Sequence, residues 1–371
     1  MKEGWTYKKL GEVCRFFSGF AFKSNKFTEN GMPIIRISDI KNGEIDDTNV
    51  VYFNPSDYEQ DLSRYIIYPG EILIAMSGGT TGKIGKNKTS KEFYLNQRVG
   101  AFRENKSIIE HDYLFYYLLT KSKESLRIAA GAAQPNLSSA QINSFIIPVP
   151  SLSEQERIVE RLDAAFMQID ELKSNAERQL AEARALFQSA LTQAMQPKPG
   201  WQDFSFSQII KLKSGDNLPA KSFVEGAYPV YGGNGIAGYH NQYNKEGGQI
   251  VIGRVGALCG NVRFIESPFW LTDNGFEVIL NKEQKMDLLF LTYLLNFCNL
   301  RQYARQAAQP VISNVSLKDI QLSIPPIKEQ QAIVEHLDAL SNHVKELEEI
   351  SCKTAAECDA MKQALLTQIF E

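Results

Sequence analysis

The chain has 371 residues, of which 43% are hydrophobic and 22% charged, and its formal net charge is −3. These values are ordinary for a soluble globular protein with room for two or three domains, each with its own core, and no apolar run approaches membrane-spanning length. The five scattered cysteines (Cys14, Cys259, Cys298, Cys352, Cys358) lack metal-ligand spacing and read as reduced thiols, and a start without a signal-peptide core points to the cytoplasm.

Residues 1–150 read as a mixed α/β domain. Strands are expected over 33–37 and 71–75, glycine turns lie between them, and a closing helix is expected over 113–130. This segment carries 19 Lys/Arg against 16 Asp/Glu. Within it, 81–106 holds Lys83, Lys86, Lys88, Lys91, Arg98, Arg103 and Lys106 against only Glu92 and Glu104. Such local positive charge is the footprint of a polyanion contact, although charges scattered over solvated faces would read the same way.

The loop Ser77-Gly78-Gly79-Thr80-Thr81-Gly82-Lys83-Ile84 invites comparison with a phosphate-binding P-loop and fails it. Three residues separate Gly78 from Gly82 where four are needed, and Lys83 is followed by Ile84 where Ser or Thr would hold Mg²⁺. No other catalytic set stands out. The four histidines (His111, His240, His336, His343) are dispersed, and Asn54-Pro55-Ser56-Asp57 lacks the aromatic ending of an amino-methyltransferase motif. Glycines interleaved with Lys and Arg suit a close approach to phosphates, while for most of these glycines a tight turn is the better explanation.

After Pro148-Val149-Pro150 comes an acidic helix, expected over 151–197 and ended by Pro197-Lys198-Pro199-Gly200. Its apolar positions Leu162, Ala165, Ile169, Leu172, Ala176, Ala183, Phe187, Ala190 and Ala194 step by four and three, the seam of a coiled coil. Residues 198–326 form a second α/β domain, with 12 Lys/Arg against 10 Asp/Glu, strands expected over 249–252 and 276–280, and a closing helix over 288–307. A second acidic helix, expected over 327–371, keeps the seam with Ile333, Leu337, Leu340, Val344, Leu347, Cys358, Leu365 and Ile369. Leu180, Leu186, Ile350 and Met361 widen the two stripes, and Gln179 and Thr354 place one polar layer in each. Antiparallel pairing of the two helices, each about 60 Å long, is expected.

The halves repeat. Ala132-Ala133-Gln134-Pro135 returns as Ala307-Ala308-Gln309-Pro310; Glu154-Gln155, Ile158-Val159 and Leu162-Asp163 return as Glu329-Gln330, Ile333-Val334 and Leu337-Asp338; and Leu191-Thr192-Gln193 returns as Leu366-Thr367-Gln368, all 175 residues apart. Trp5 and Ser18-Gly19 match Trp201 and Ser214-Gly215 at an offset of 196, so the first half carries 21 more residues before Asp112-Tyr113-Leu114-Phe115, which is expected to pair with Asp287-Leu288-Leu289-Phe290. This is a tandem duplication: a constant frame with two different inserts.

Together with Pro33-Ile34-Ile35-Arg36-Ile37-Ser38-Asp39-Ile40 and Tyr228-Pro229-Val230-Tyr231-Gly232-Gly233-Asn234-Gly235, these repeats resemble a specificity subunit of a type I restriction–modification system over nearly the whole chain. The resemblance implies an α+β fold in which two α/β target-recognition domains are joined by two long helices forming an antiparallel coiled-coil spacer, with an internal pseudo-twofold repeat. It implies that each domain reads one half of a split, asymmetric double-stranded DNA site, that the spacer docks two adenine-methyltransferase subunits, and that motor–nuclease subunits can join. No cofactor is then expected on this chain: S-adenosylmethionine, ATP and Mg²⁺ belong to the partners, and this chain is not an enzyme. DNA contact is expected from Arg36, Lys83, Lys86, Lys88 and Arg98 in the first domain and from Asn234, Arg254 and Arg263 in the second. Gln134 and Gln309 recur at one place in both domains, as a shared backbone contact or a structural turn. A non-DNA assembly scaffold with two protein-binding heads is the alternative, and an enzyme with an unrecognised site in the glycine loops is a third reading.

Overall fold

The computed structural model describes residues 4–41, 43–129, 136–281, 285–305 and 309–370. Two long helices, Leu152–Ala194 and Ile327–Phe370, accompany two α/β heads. No described helix is long and apolar enough to cross a membrane. The chain divides into two compact units, Met1–Asn175 with Lys353–Glu371, and Ala176–Cys352, so each unit holds one head and part of both long helices.

In the first unit, among the described residues, one sheet orders its strands Cys14–Ser18, Val99–Glu104, Ile72–Ala75, Ile84–Lys86 and Gly43–Glu44. All four residues of Ile72–Ala75 are buried, the pattern of a central strand covered on both faces. A second sheet orders Phe27–Thr28, Val51–Phe53, Met32–Ile35, Phe93–Leu95 and Ile66–Ile67. Thr6–Lys9 pairs antiparallel with Ile146–Val149, which ties the start of the head to its end.

The second unit repeats this plan with fewer strands. Its larger sheet orders Ile210–Ser214, Gly275–Leu280, Gln249–Gly253 and Val262–Ile265, and its smaller one Gly235–His240, Tyr228–Gly232 and Trp270–Leu271. Gln202–Ser205 closes on Gln321–Ile324. Parallel pairing of Ile34 and Ile35 with Tyr94 and Leu95 matches that of Val230 and Tyr231 with Trp270 and Leu271. The offset of 196 therefore holds as far as Ile35 and Tyr231 and has fallen to 178 at Ala75 and Gly253. Most of the length difference lies between these points. It builds Gly43–Glu44, Val51–Phe53 and Ile66–Ile67 in the first unit, where the second, among the described residues, has the hairpin strand Gly235–His240.

The repeated helix motifs are explained by packing. In the first unit Ile158, Val159 and Leu162 from the start of one long helix join Leu366 and Phe370 from the end of the other in a core with Leu10, Tyr113 and Tyr117. In the second unit the equivalents Ile333, Val334, Leu337, Leu191 and Met195 join Ile209, Phe290 and Leu294. The helices run antiparallel within each unit. Asp170 bonds Lys362 at 2.5 Å and Lys173 lies 3.8 Å from Asp359 in the first, and Arg184 bonds Glu348 at 2.6 Å in the second.

Three expectations need correction. The seam is not closed at Leu172, which is 55% exposed, and the widening residues Leu186, Ile350 and Met361 are exposed as well. Gln179 is exposed instead of filling a buried layer, because a two-helix contact covers a narrower stripe than the apolar pattern supplies. The closing helices also break: His111–Thr120 is followed by a separate helix Ser122–Ala129, and Leu288–Phe297 stops before Asn299, whose φ of 46° is left-handed, and a 3₁₀ turn.

The third correction is one of register. Glu110 caps the first closing helix and donates its backbone N–H to Gln155; Asp287 caps the second and donates to Gln330. The structural partner of Asp287 is therefore Glu110 and not Asp112, an offset of 177. Tyr113 then matches Phe290 and Tyr116 matches Tyr293, the latter two bonded to the equivalent carboxylates Asp163 and Asp338.

Candidate nucleic-acid interface

Sequence motifs far apart in the chain meet at one place in each unit, the C-terminal end of the central strand. In the first unit the Ala75 N–H donates to Lys83 O at 2.9 Å and the Met76 N–H to Arg98 O at 2.9 Å, so Lys83 and Arg98 flank the strand end on opposite sides. Leu137 donates to Met76 O at 2.7 Å, and Gly19 donates to Val99 O at 3.0 Å. The second unit repeats each bond. Gly253 donates to Asn261, Arg254 to Asn274, Ile312 to Arg254 and Gly215 to Gly275, at 2.9–3.2 Å, and Gly260 donates to Gly253 as Gly82 does to Ala75, both at 2.8 Å.

Gly19 is repeated as Gly215 for a steric reason. A Cβ at Gly19 would lie 2.1 Å from Leu95 O, and one at Gly215 would lie 2.3 Å from Leu271 O. The loop glycines are fixed by conformation and crowding. Gly78 and Gly82 have φ of 77° and 84°, Gly256 and Gly260 of 102° and 89°, and a Cβ at Gly82 or Gly260 would strike the backbone of Ser122 or Arg301. The N–H groups of Thr81, Gly82 and Lys83 bond within the turn to Gly78, Ala75 and Thr80, and those of Cys259, Gly260 and Asn261 do the same. These loops are tight turns; those donors are not free to cradle a phosphate.

The basic run 81–106 is largely neutralised by carboxylates from elsewhere in the sequence. Lys86 pairs with Asp112 at 2.5 Å and lies over the Phe115 ring, Lys88 lies 3.5 Å from Glu44, Lys91 bonds Asp47 at 2.8 Å, and Arg103 bonds Glu71 at 2.5 Å. Lys83, Arg98 and Lys106 have no ion pair among the described residues. Arg36 is held by Asp39 and donates to Asn49 O at 3.1 Å.

In the second unit Asn234 sits in the two-residue turn of a hairpin, and its side-chain oxygen accepts the Leu258 N–H at 2.9 Å. Arg254 donates to Ser214 Oγ and Asp273 O and stacks on Phe276. Both therefore brace the junction. Arg263, on Val262–Ile265, carries no carboxylate partner among the described residues; its charge bears on Tyr231, whose phenol is nonetheless raised by burial. Gln309 is exposed beside Pro310, whose carbonyl accepts the Gly256 N–H at 3.1 Å. Gln134 lies outside the described residues.

The structure thus brings Lys83 and Arg98 to the strand end of the first unit and Asn234 and Arg254 to that of the second, and leaves Lys86 and Lys88 apart from it. It adds exposed Asn261 and Asn274 at the places of Lys83 and Arg98. The signal for Asn261 was present in the matched spacing of Gly78–Gly82–Lys83 and Gly256–Gly260–Asn261; Asn274 has no such motif beside it.

The sequence model of the type I restriction modification DNA specificity domain matches residues 2–182 and again 198–353. The chain belongs to this specificity family. It is 26% identical to the type I restriction enzyme StySPI specificity subunit of Salmonella potsdam, over all of this chain and 89% of that protein. It is 23% identical to the EcoKI specificity subunit of Escherichia coli K12, again over all of this chain and 89% of the relative. Over 49% of the chain it is 32% identical to the MjaVIII specificity subunit of Methanocaldococcus jannaschii, covering 44% of that protein. The fold of the specificity chain is shared with a structure described under assembly and conformational transition of the type I R-M system, at a TM-score of 0.75 and 19% identity over 99% of this chain and 97% of the other. It is also shared with the HsdS subunit of Thermoanaerobacter tengcongensis, at 0.53 and 20% identity over 99% and 97%.

Proposed function

We infer that this chain is the DNA-specificity subunit of a type I restriction–modification complex, in which each head reads one half of a bipartite, asymmetric duplex site. One observation carries the reading: two copies of the specificity domain coincide with two copies of one structural frame, and the frames differ in their inserts and in the exposed side chains at the central strand end. Modest binding by each head becomes specific when both engage one duplex, because the second contact is effectively intramolecular.

In this reading the long helices dock two methyltransferase subunits, and their surplus of exposed apolar residues, Met167, Leu172, Leu186 and Ile350, supplies contact area. Motor–nuclease subunits complete the restricting form. S-adenosylmethionine is held by the methyltransferases, which flip the target adenine, and ATP and Mg²⁺ by the motor subunits; this chain performs no chemistry and works in the cytoplasm beside the DNA. The test is sequencing of methylated adenines in the host with and without the gene for this chain. A split motif that disappears with the gene supports the reading. A methylome that does not change overturns it, and a complex that assembles yet binds all duplexes equally at physiological salt points to an assembly scaffold.

A further inference from the structure

A frame common to both heads cannot by itself tell two different half-sites apart. Discrimination comes from the inserts and from positions that are equivalent in the backbone, open to solvent and different in chemistry, and only the latter can be compared between the heads. At the central strand end most equivalent pairs fail one of these conditions. Gly19 and Gly215, Gly78 and Gly256, and Gly82 and Gly260 are identical, while Leu137 and Ile312 are both buried. Met76 is buried, and its counterpart Arg254 is engaged with Ser214 and Asp273.

Residues 98 and 274 meet all three. Arg98 O accepts the Met76 N–H at 2.9 Å and Asn274 O accepts the Arg254 N–H at 2.9 Å, so the two backbones occupy one place in the frame. Each immediately precedes the strand that pairs with the central one, Val99–Glu104 or Gly275–Leu280. Both residues are exposed, and neither side chain has a hydrogen-bond or ion-pair partner among the described residues. A guanidinium presents a fork of donors that fits guanine O6 and N7, whereas a carboxamide offers the donor and acceptor that fit adenine N7 and N6. The neighbouring pair, Lys83 and Asn261, differs too, but a lysine is a point charge better suited to phosphate than to a base edge.

We propose that residues 98 and 274 are equivalent base-reading positions of the two heads, Arg98 selecting a guanine in one half-site and Asn274 an adenine in the other. This rests on the reading of the chain as a DNA-specificity subunit. The test is selection from a duplex library with both half-sites randomised, using the full chain assembled with its methyltransferase subunits, as wild type, Arg98→Asn and Asn274→Arg. The expected result is that each variant changes the base preferred at a single position, by on the order of tenfold, in one half-site only. Reduced binding with unchanged preferences would make these residues backbone contacts and overturn the proposal, as would no effect at all. A wild-type complex that selects no split sequence would instead overturn the wider reading.

Discussion

The side-chain oxygen of Gln155 accepts the backbone N–H of Glu110 at 2.8 Å, while its amide nitrogen donates to Ile108 O at 3.0 Å and Pro150 O at 2.9 Å. Gln155 is fully buried, so one side chain ties the loop before the closing helix to Pro150 at the entry to the long helix. Gln330 does the same in the second unit, accepting from Asp287 and donating to Pro325. Gln155→Leu keeps the volume and strands one donor and two acceptors away from water. A loss of about 3 kcal/mol is expected. Urea unfolding of the first unit measures it; a change under about 1 kcal/mol would mean that these bonds do not hold the head to the helix.

Gly19 and Gly79 make opposite predictions. Gly19→Ala forces a Cβ to 2.1 Å from Leu95 O, a backbone atom that cannot step aside, and should cost several kcal/mol or abolish folding of the unit. Gly79 has nothing within 4 Å of a built Cβ, and Gly79→Ala should alter stability by less than about 0.5 kcal/mol. Thermal melts of the two variants decide whether close packing, and not a common need for glycine, fixes these positions.

The frame was legible because packing against a repeated head constrains residues at fixed offsets: Gln155 and Gln330, Ile158 and Ile333, and Leu191 and Leu366 each do one job in two places. The register of the closing helices was not legible, since Asp112 resembles Asp287 in sequence while the cap is made by Glu110. The charge of the basic run was misleading for a different reason. Its neutralising partners Glu44, Asp47, Glu71 and Asp112 lie outside the run, and only folding brings them to it. Similarly, the glycine loops look open in sequence and prove to be turns whose donors bond internally.

Lys83 and Lys88 should separate in a salt titration. Lys88 shares its place with Glu44, so the pair adds little net charge, whereas Lys83 has no carboxylate partner among the described residues. Lys83→Ala should weaken DNA binding by the assembled complex evenly across sequences. It should also reduce the slope of log K against log salt by about 1, the share of one phosphate contact. Lys88→Ala should leave that slope unchanged. Equal slopes for both variants would remove Lys83 from the interface.

Alkali should loosen the first unit through groups that acid leaves untouched. Burial pushes the Cys14 thiol up to about 12 from 9.0, with Glu104 adding to the shift, and raises the phenols of Tyr113, Tyr116 and Tyr117 above their usual value of 10.0. A raised acid favours the folded chain while it stays protonated. Its contribution is complete below the unfolded value and is lost as pH climbs from there toward the folded value, because the unfolded state then releases protons that the folded state retains. Stability measured by urea unfolding should therefore fall steadily above about pH 9 to 10. The same burial predicts thiol reactivity: exposed Cys352 should label rapidly at pH 8, half-buried Cys298, with its thiol raised to about 11, more slowly, and buried Cys14 only as the chain unfolds. Fast labelling of Cys14 in the native chain would show that the core around Tyr117 opens without unfolding.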